Sequence, residues 1–443
     1  MRLWLVSAAI LFVLSVPPAG RAQTCALVEV VQPGDCFRYG IEMKLTGELR
    51  FQKESGPTSV KLNATANHVY SERALVGSGG IIQKSARTYE TARLNIERNG
   101  DRSTLSLRPA RKLVVAQRHK DQLLTYSPAG AFYRSELDLV GGHFDTLALA
   151  GLLSGKTMKV GETWKLPNLV AQALCGLEGI TENKLEAKLE KVAEDVAMVA
   201  ITGSAAGVES GALVKLTAEA AATYDLKAKR LTRVVWKQKT DRDQGPVSPA
   251  STLEVLVTLE RKAIAQPAEL ADAELVSIPE GFAPPGPMTN LEHRDARERF
   301  ALIHPRDWHL TAISGDHTIL RLMDRGDYIA QVTVTPWTRA KKGEHLSAEQ
   351  FKNAMRSTSG WRPEKELQSG EVPTMEGKYI YRLSEQGYLD GVQVLQNFFL
   401  VASPDGDQVV LTFTLSPKLA DKLGARDLSM AASIEVPAAP EKK

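Results

Sequence analysis

The sequence predicts an α+β protein: a larger, mostly antiparallel β domain with a curved or half-barrel sheet, then a smaller domain that mixes strands with helices. Three observations carry this expectation. Long runs such as FRYGIEMKLTGELRF (37–51) and SVKLNATANHVY (59–70) alternate polar and apolar residues, the two-residue period of a half-buried strand. Short polar turns join these runs, which builds meanders and not βαβ units. A break at IPEGFAPPGPM (278–288) carries four prolines, too many for a helix or a central strand.

In chain order, residues 1–22 read as a signal peptide. Arg2 precedes an apolar run from Leu3 to Val16, then Pro17-Pro18, then a small-x-small site at Gly20-Arg21-Ala22. The run is short for a membrane span, so an exported chain, periplasmic or secreted, without a transmembrane segment after residue 22 is expected. Residues 23–264 form the β-rich domain. KLVVAQRHKDQLLTY (112–126) is two runs around His119-Lys120-Asp121, and AATYDLKAKRLTRVVWKQK (221–239) is two runs around a Lys-rich turn. LEAKLEKVAEDVAMV (185–199) has leucines and valines at helical spacing, but its strand-like flanks favour a hairpin around Ala193-Glu194-Asp195. DTLALAGLL (145–153) and LVAQALCGL (169–177) read as helical.

Residues 265–298 read as a proline-rich linker and 299–436 as the second domain. There FALIHPRDWHL opens a strand, and TILRLMD and YIAQVTVTPW form a hairpin around Arg325-Gly326-Asp327. HLSAEQFKNAMRSTSG is a helix whose Ser347 and Gln350 have capping-box spacing. VQVLQNFFLVA and QVVLTFTL form a hairpin around Pro404-Asp405-Gly406. A last helix is expected from Ser416 to about Ala432, then a short strand SIEV. Residues 437–443 read as a disordered tail.

Chemistry is sparse. The 443 residues carry a formal net charge of +3 with no basic stripe, so no nucleic-acid partner is expected. His304, Asp307 and His309 lie close in sequence, but residues five apart on a strand face opposite ways, and Pro305 ends the strand. They read as structural. His293-Arg294-Asp295 matches the start of a kinase catalytic loop, yet Glu298 stands where that loop has Asn, and no Gly-rich loop precedes it. Gly77-Ser78-Gly79-Gly80 has no following Lys-Ser/Thr pair for a phosphate loop. His143 and Asp145 stand two apart with no nucleophile motif to complete a triad. Of three cysteines, Cys25 and Cys36 are the candidate disulfide, with Cys36–Cys175 the alternative and free thiols the third reading.

The pattern Phe300-x-Leu302-x-x-Pro305-x-x-Trp308, followed by two strands, a capped helix, a hairpin and a terminal helix, resembles the PsbP-like α/β/α sandwich over about 140 residues, a third of the chain. That resemblance implies a binding or assembly protein without catalytic residues. KVGETWKLP (159–167) and the strand pattern around it resemble LolA-type half-barrel domains. There a sheet wraps an apolar cavity, which makes Trp164 a candidate ligand-binding residue. The expected function is a non-catalytic exported bacterial protein that binds an apolar small molecule or an envelope protein, with no cofactor and no metal. The alternatives are a structural envelope scaffold, or a hydrolase or metalloenzyme assembled around His143, His304 and His309.

Overall fold

The computed structural model describes residues 23–436 apart from 54–55, 79–80, 120–121, 142–143 and 375–376. The signal-peptide stretch 1–22, the tail 437–443, Gly79-Gly80, Lys120-Asp121 and His143 therefore lie outside the described residues.

The first domain is built on a thirteen-stranded antiparallel sheet. From one edge its order is Thr163–Lys165, Glu186–Ala193, Val196–Glu209, Ala212–Asp225, Arg230–Arg242, Ala250–Ile264, Cys36–Lys53, Gly56–Ser78, Ile81–Arg98, Leu113–His119 and Gln122–Tyr126. Gly179–Asn183 and Asp101–Ser106 branch off Val196–Glu209 and Ile81–Arg98. Left-handed residues make the tight turns: Asn99-Gly100 (φ 50° and 96°) and Ser210-Gly211 (φ 51° and 75°), the pair that two-residue hairpins demand. The stretch with helical spacing is a hairpin turning at Glu194 (φ 51°). There Leu185, Ala187, Leu189, Ala197, Val199 and Ile201 alternate into the core, so the two-residue period prevails.

The sheet bends. Val196–Glu209 and Gln122–Tyr126 stand eight strands apart in its order, roughly 35–40 Å if it were flat, yet both supply walls to one cavity. Glycines allow neighbouring strands to close in. A Cβ on Gly47 would meet the Thr252 carbonyl oxygen at 2.1 Å, and one on Gly203 the Lys184 carbonyl oxygen at 2.1 Å. Helix α1 (Arg134–Val140), a 3-10 turn (Thr146–Leu152) and helix α2 (Asn168–Cys175) pack on the inner face. The Asp145 carboxylate accepts from the Leu147 N–H at 2.9 Å and starts the 3-10 turn.

The second domain is a seven-stranded antiparallel sheet, in the order Trp308–Ile313, Thr318–Asp324, Asp327–Trp337, Gln408–Leu415, Val392–Ala402, Tyr379–Leu389, Trp361–Glu371. On one face Phe351 and Met355 of the helix Ala348–Arg356 pack with Trp361, Leu383 and Phe398. Its capping box is formed: the Ser347 hydroxyl accepts from the Gln350 N–H, and the Gln350 side chain accepts from the Ser347 N–H. On the other face Leu423, Met430 and Ala431 cover Trp308, Phe399 and Phe413.

Between the two lies a small sheet. Leu291–Arg294, inside the stretch read as linker, pairs antiparallel with Ala301–His304 and parallel with Phe132–Tyr133 of the first domain. The linker also lies along the first domain, because Lys84 donates to the Gly281 carbonyl at 2.9 Å and Gln117 to that of Phe282 at 3.0 Å.

Four expectations are corrected. The described residues are mostly β, 57% strand and 15% helix, in several large antiparallel sheets and not a half-barrel followed by an α/β/α sandwich. The helices are too short to form layers. The terminal helix, expected unbroken from 416, is interrupted at Gly424 (φ 57°) into Ala420–Leu423 and Arg426–Ala432. SIEV contributes only a bridge between Glu435 and Ala301. Finally, Cys25, Cys36 and Cys175 are all free and buried. Cys25 is committed to a two-stranded sheet with Thr157–Lys159, and Cys36 to the pairing of the large sheet, so the expected Cys25–Cys36 bridge is not formed.

Candidate functional site

The bent sheet forms a half-open cavity of about 570 Å³ on its inner face. Its walls follow from strand alternation. Met43 and Leu45, Leu62, Ala64 and Ala66, Leu94 and Ile96, and Leu253, Val255 and Val257 each stand two apart on neighbouring strands, so their side chains share one face. Leu137 and Leu139 of α1 close one side, and Leu174, Cys175 and Leu177 at the end of α2 another. The outward residues between them, such as Lys44, Asn63, Thr65 and Asn95, are exposed. The hollow lies where the short helices α1 and α2 cover only part of the inner face.

Most polar groups in the wall are satisfied locally. The Trp236 indole N–H donates to the Gln238 side-chain oxygen at 3.2 Å, and the Gln238 amide donates to the Cys175 carbonyl at 3.2 Å and the Thr240 hydroxyl at 3.1 Å. Phe144 packs on Trp236 with ring centroids 5.8 Å apart. Burial pushes the Cys175 thiol up to about 12, so it stays protonated and acts as a small apolar wall residue. Charge gathers at the margins. Arg242 pairs with Glu209 at 3.1 Å and Arg134 with Asp138 at 2.8 Å. Arg98, Glu209 and Arg242 are the last residues of their strands, at one end of the sheet by register.

Four lining groups stand apart: Arg98 makes no ion pair with a described carboxylate, the Arg242 Nε and the Thr125 hydroxyl are buried without a hydrogen-bond partner, and Arg306 bonds only carbonyl oxygens. Arg306 comes from the second domain, in the turn between Ala301–His304 and Trp308–Ile313. Its Nε donates to the Thr289 carbonyl and its Nη2 to the Thr125 carbonyl, both at 2.6 Å. Burial and the nearby Arg134 bring its pKa down to about 10, which leaves it charged at neutral pH. The Thr125 hydroxyl is buried without a hydrogen-bond partner, although Thr125 lines the cavity.

The residues singled out in the sequence lie elsewhere. Trp164, on an edge strand, donates its indole N–H to the Leu152 carbonyl at 3.2 Å and is not among the lining residues. His304 is buried, its Nδ1 2.9 Å from the Pro305 carbonyl oxygen, and burial brings it down to about 4. His309 sits on the next strand and is brought down to about 4 by burial and then by Arg134. Asp307 faces Arg426 at 3.8 Å. Asp295 accepts from the Arg297 and Arg299 N–H groups and binds the Arg299 guanidinium at 2.8 Å, so it fastens a turn. Among the described residues no three His, Cys, Asp or Glu side chains converge as metal ligands. Sequence reasoning passed over Trp236, Thr125 and Arg306. For Trp236 the alternation of LTRVVWKQKT was a usable signal; for Arg306 there was none.

No family model matches the chain, and no curated protein matches it. Among solved structures, the chain is similar to the cyanobacterial PsbP protein CyanoP from Synechocystis sp. PCC 6803, at 12% identity over 35% of this chain and 96% of that one, with a TM-score of 0.28. It is similar to the Ran-binding protein Mog1p of Saccharomyces cerevisiae, at 12% identity over 33% of this chain and 95% of that one, TM-score 0.26. A structure of lipid–protein interactions in lipovitellin matches at 10% identity over 54% of this chain but about a quarter, 26%, of that one, TM-score 0.32. A PsbP protein is among these matches, over about a third of the chain; the LolA-type resemblance has no counterpart among them.

Proposed function

We propose that this is an exported, non-catalytic protein that binds an apolar small molecule inside its first domain. The cavity carries the reading. At about 570 Å³ it has the size of sites that hold one ligand of a few hundred daltons, commonly some 300–1,000 Å³. Aliphatic side chains from the sheet line it, and filling it would remove their surface from water at roughly 25 cal/mol per Å². The wall groups most suited to chemistry are already occupied: Arg134 and Asp138 with each other, Arg242 with Glu209, and Cys175 as a protonated thiol.

The test is a titration of the full chain with the neutral dye Nile red, whose emission rises in apolar surroundings. Wild type should saturate with one dye per chain. Ala66→Trp, which puts an indole into the cavity from a wall residue, should lose at least tenfold in affinity while keeping the thermal midpoint within a few degrees. Equal binding by both proteins, or none by wild type, refutes the reading.

A further inference from the structure

The geometry points to a single-chain anionic amphiphile as the ligand, its tail along the aliphatic walls and its negatively charged head on Arg306 and Thr125. This rests on the cavity reading above and adds what that reading leaves open, the charge and shape of the guest.

Arg306 makes no ion pair with any described carboxylate, whereas Arg134 and Arg242 at the same cavity do. A guanidinium has five N–H donors. The two bonds to the Thr289 and Thr125 carbonyls use Nε and one Nη2 donor, so Nη1 remains uncommitted. Those two bonds also fix the fork in place, and a fixed guanidinium suits the two oxygens of a carboxylate or phosphate. Beside it the Thr125 hydroxyl, on a residue 1% exposed, has no hydrogen-bond partner. A buried hydroxyl without a partner and a half-buried cation without a counter-charge are both costly. A single anionic oxygen cluster relieves both, because Thr125 supplies the hydroxyl and also the carbonyl that Arg306 holds. Between these groups and the charged pairs at the margins, Met43, Leu45, Leu94, Leu123 and Val255 give the wall an apolar stretch, so the remainder of the guest is a hydrocarbon. A cavity of about 570 Å³ suits one chain better than two.

The experiment compares palmitate, lysophosphatidic acid and hexadecanol as competitors of Nile red, on wild type, Arg306→Gln, Arg306→Lys and Thr125→Val. Palmitate or lysophosphatidic acid should bind wild type at least tenfold more tightly than hexadecanol, and the tighter of the two identifies the head group as carboxylate or phosphate. Arg306→Gln should lose at least tenfold for the anion and under twofold for hexadecanol. Arg306→Lys should recover only part of the loss, because an ammonium restores the charge but not the fork, and Thr125→Val should weaken the anion several-fold only. If hexadecanol binds as well as the anions, or Arg306→Gln weakens all three alike, the head-group assignment is overturned while the cavity reading stands. If wild type binds none of them and no dye, both fall.

Discussion

The thirteen-stranded and seven-stranded sheets both join long antiparallel strands through tight turns with left-handed residues, yet one leaves a half-open cavity of about 570 Å³ and the other is packed on both faces. Side-chain size and cover account for the difference. The second sheet sets Trp308, Phe399 and Phe413 on one face, packed against Leu423 and Met430, and Trp361 and Phe398 on the other, packed against Phe351 and Met355. The first sheet's inner face offers Ala64, Ala66, Leu45, Val255 and Thr240 around the hollow, and its helices reach only the margins. Its tyrosines Tyr39, Tyr70 and Tyr89 gather elsewhere, with the buried pair Glu72–Arg87 at 2.7 Å, and Trp236 is the aromatic ring in the wall of the hollow. A bent sheet leaves a site where its alternation supplies small residues and its cover stops short. It becomes ordinary core where aromatic residues meet a helix.

The sharpest way to break this comparison is to remove a large side chain from the packed sheet. Phe399 is fully buried, edge-on to Phe413 at 5.8 Å. Phe399→Ala should cost about 3–5 kcal/mol, the transfer loss plus a cavity the neighbours cannot fill. Urea denaturation would measure it. A loss under about 1 kcal/mol would mean that this face is as loosely filled as the first domain's interior.

The junction of the two regions supplies the next effect. His304 is 2% exposed, and burial holds its folded pKa at about 4 against an ordinary 6.5. Between those values the unfolded chain takes up a proton that the native chain does not. Stability therefore falls as pH drops from 6.5 towards 4, by up to about 3 kcal/mol from this residue, and the contribution is flat above that window. His304→Gln should remove that part of the slope, and denaturation midpoints at pH 7, 5.5 and 4.5 would measure it. Parallel wild-type and variant slopes would show that His304 is hydrated and that the domains are not sealed together there.

Sequence patterning revealed much of the local structure and little of the site. The alternating runs, the Glu194 turn, the Ser347–Gln350 box and the Arg325-Gly326 and Gly406 hairpins are all local chemistry, and local chemistry is what periodicity and capping rules read. The breaking of the terminal helix at Gly424 went unseen because one glycine in a helical pattern is ordinarily tolerated. The site needed long-range facts. Leu45, Leu123 and Val255 look like any buried strand residues until the sheet bends and fails to close on itself. Trp164 stood out through its Gly-x-x-Trp setting, yet it fastens Leu152 at the edge, while Trp236 faces inward. In FALIHPRDWHL the histidines have the metal-ligand chemistry, but the residue that reaches the cavity is Arg306, held by Thr125, 181 positions earlier in the chain. No spacing rule links positions so far apart.

The smallest effect is the one that discriminates most finely between the two sheets. Leu253 is half-buried and faces the hollow from the strand Ala250–Ile264. In a packed core, Leu→Ala costs about 2–5 kcal/mol, because the loss of transfer energy is joined by the energy of the new void. Here the space beside the side chain already exists, so no void is created and the leucine surrenders only its contacts along the wall. Leu253→Ala should then cost about 1 kcal/mol or less, read by the same urea titration as Phe399→Ala. The same variant widens the hollow, so Nile red should still bind, within a few-fold of wild type. A loss of 3 kcal/mol would show Leu253 surrounded by packed side chains, and the difference between the hollow sheet and the filled one would vanish with it.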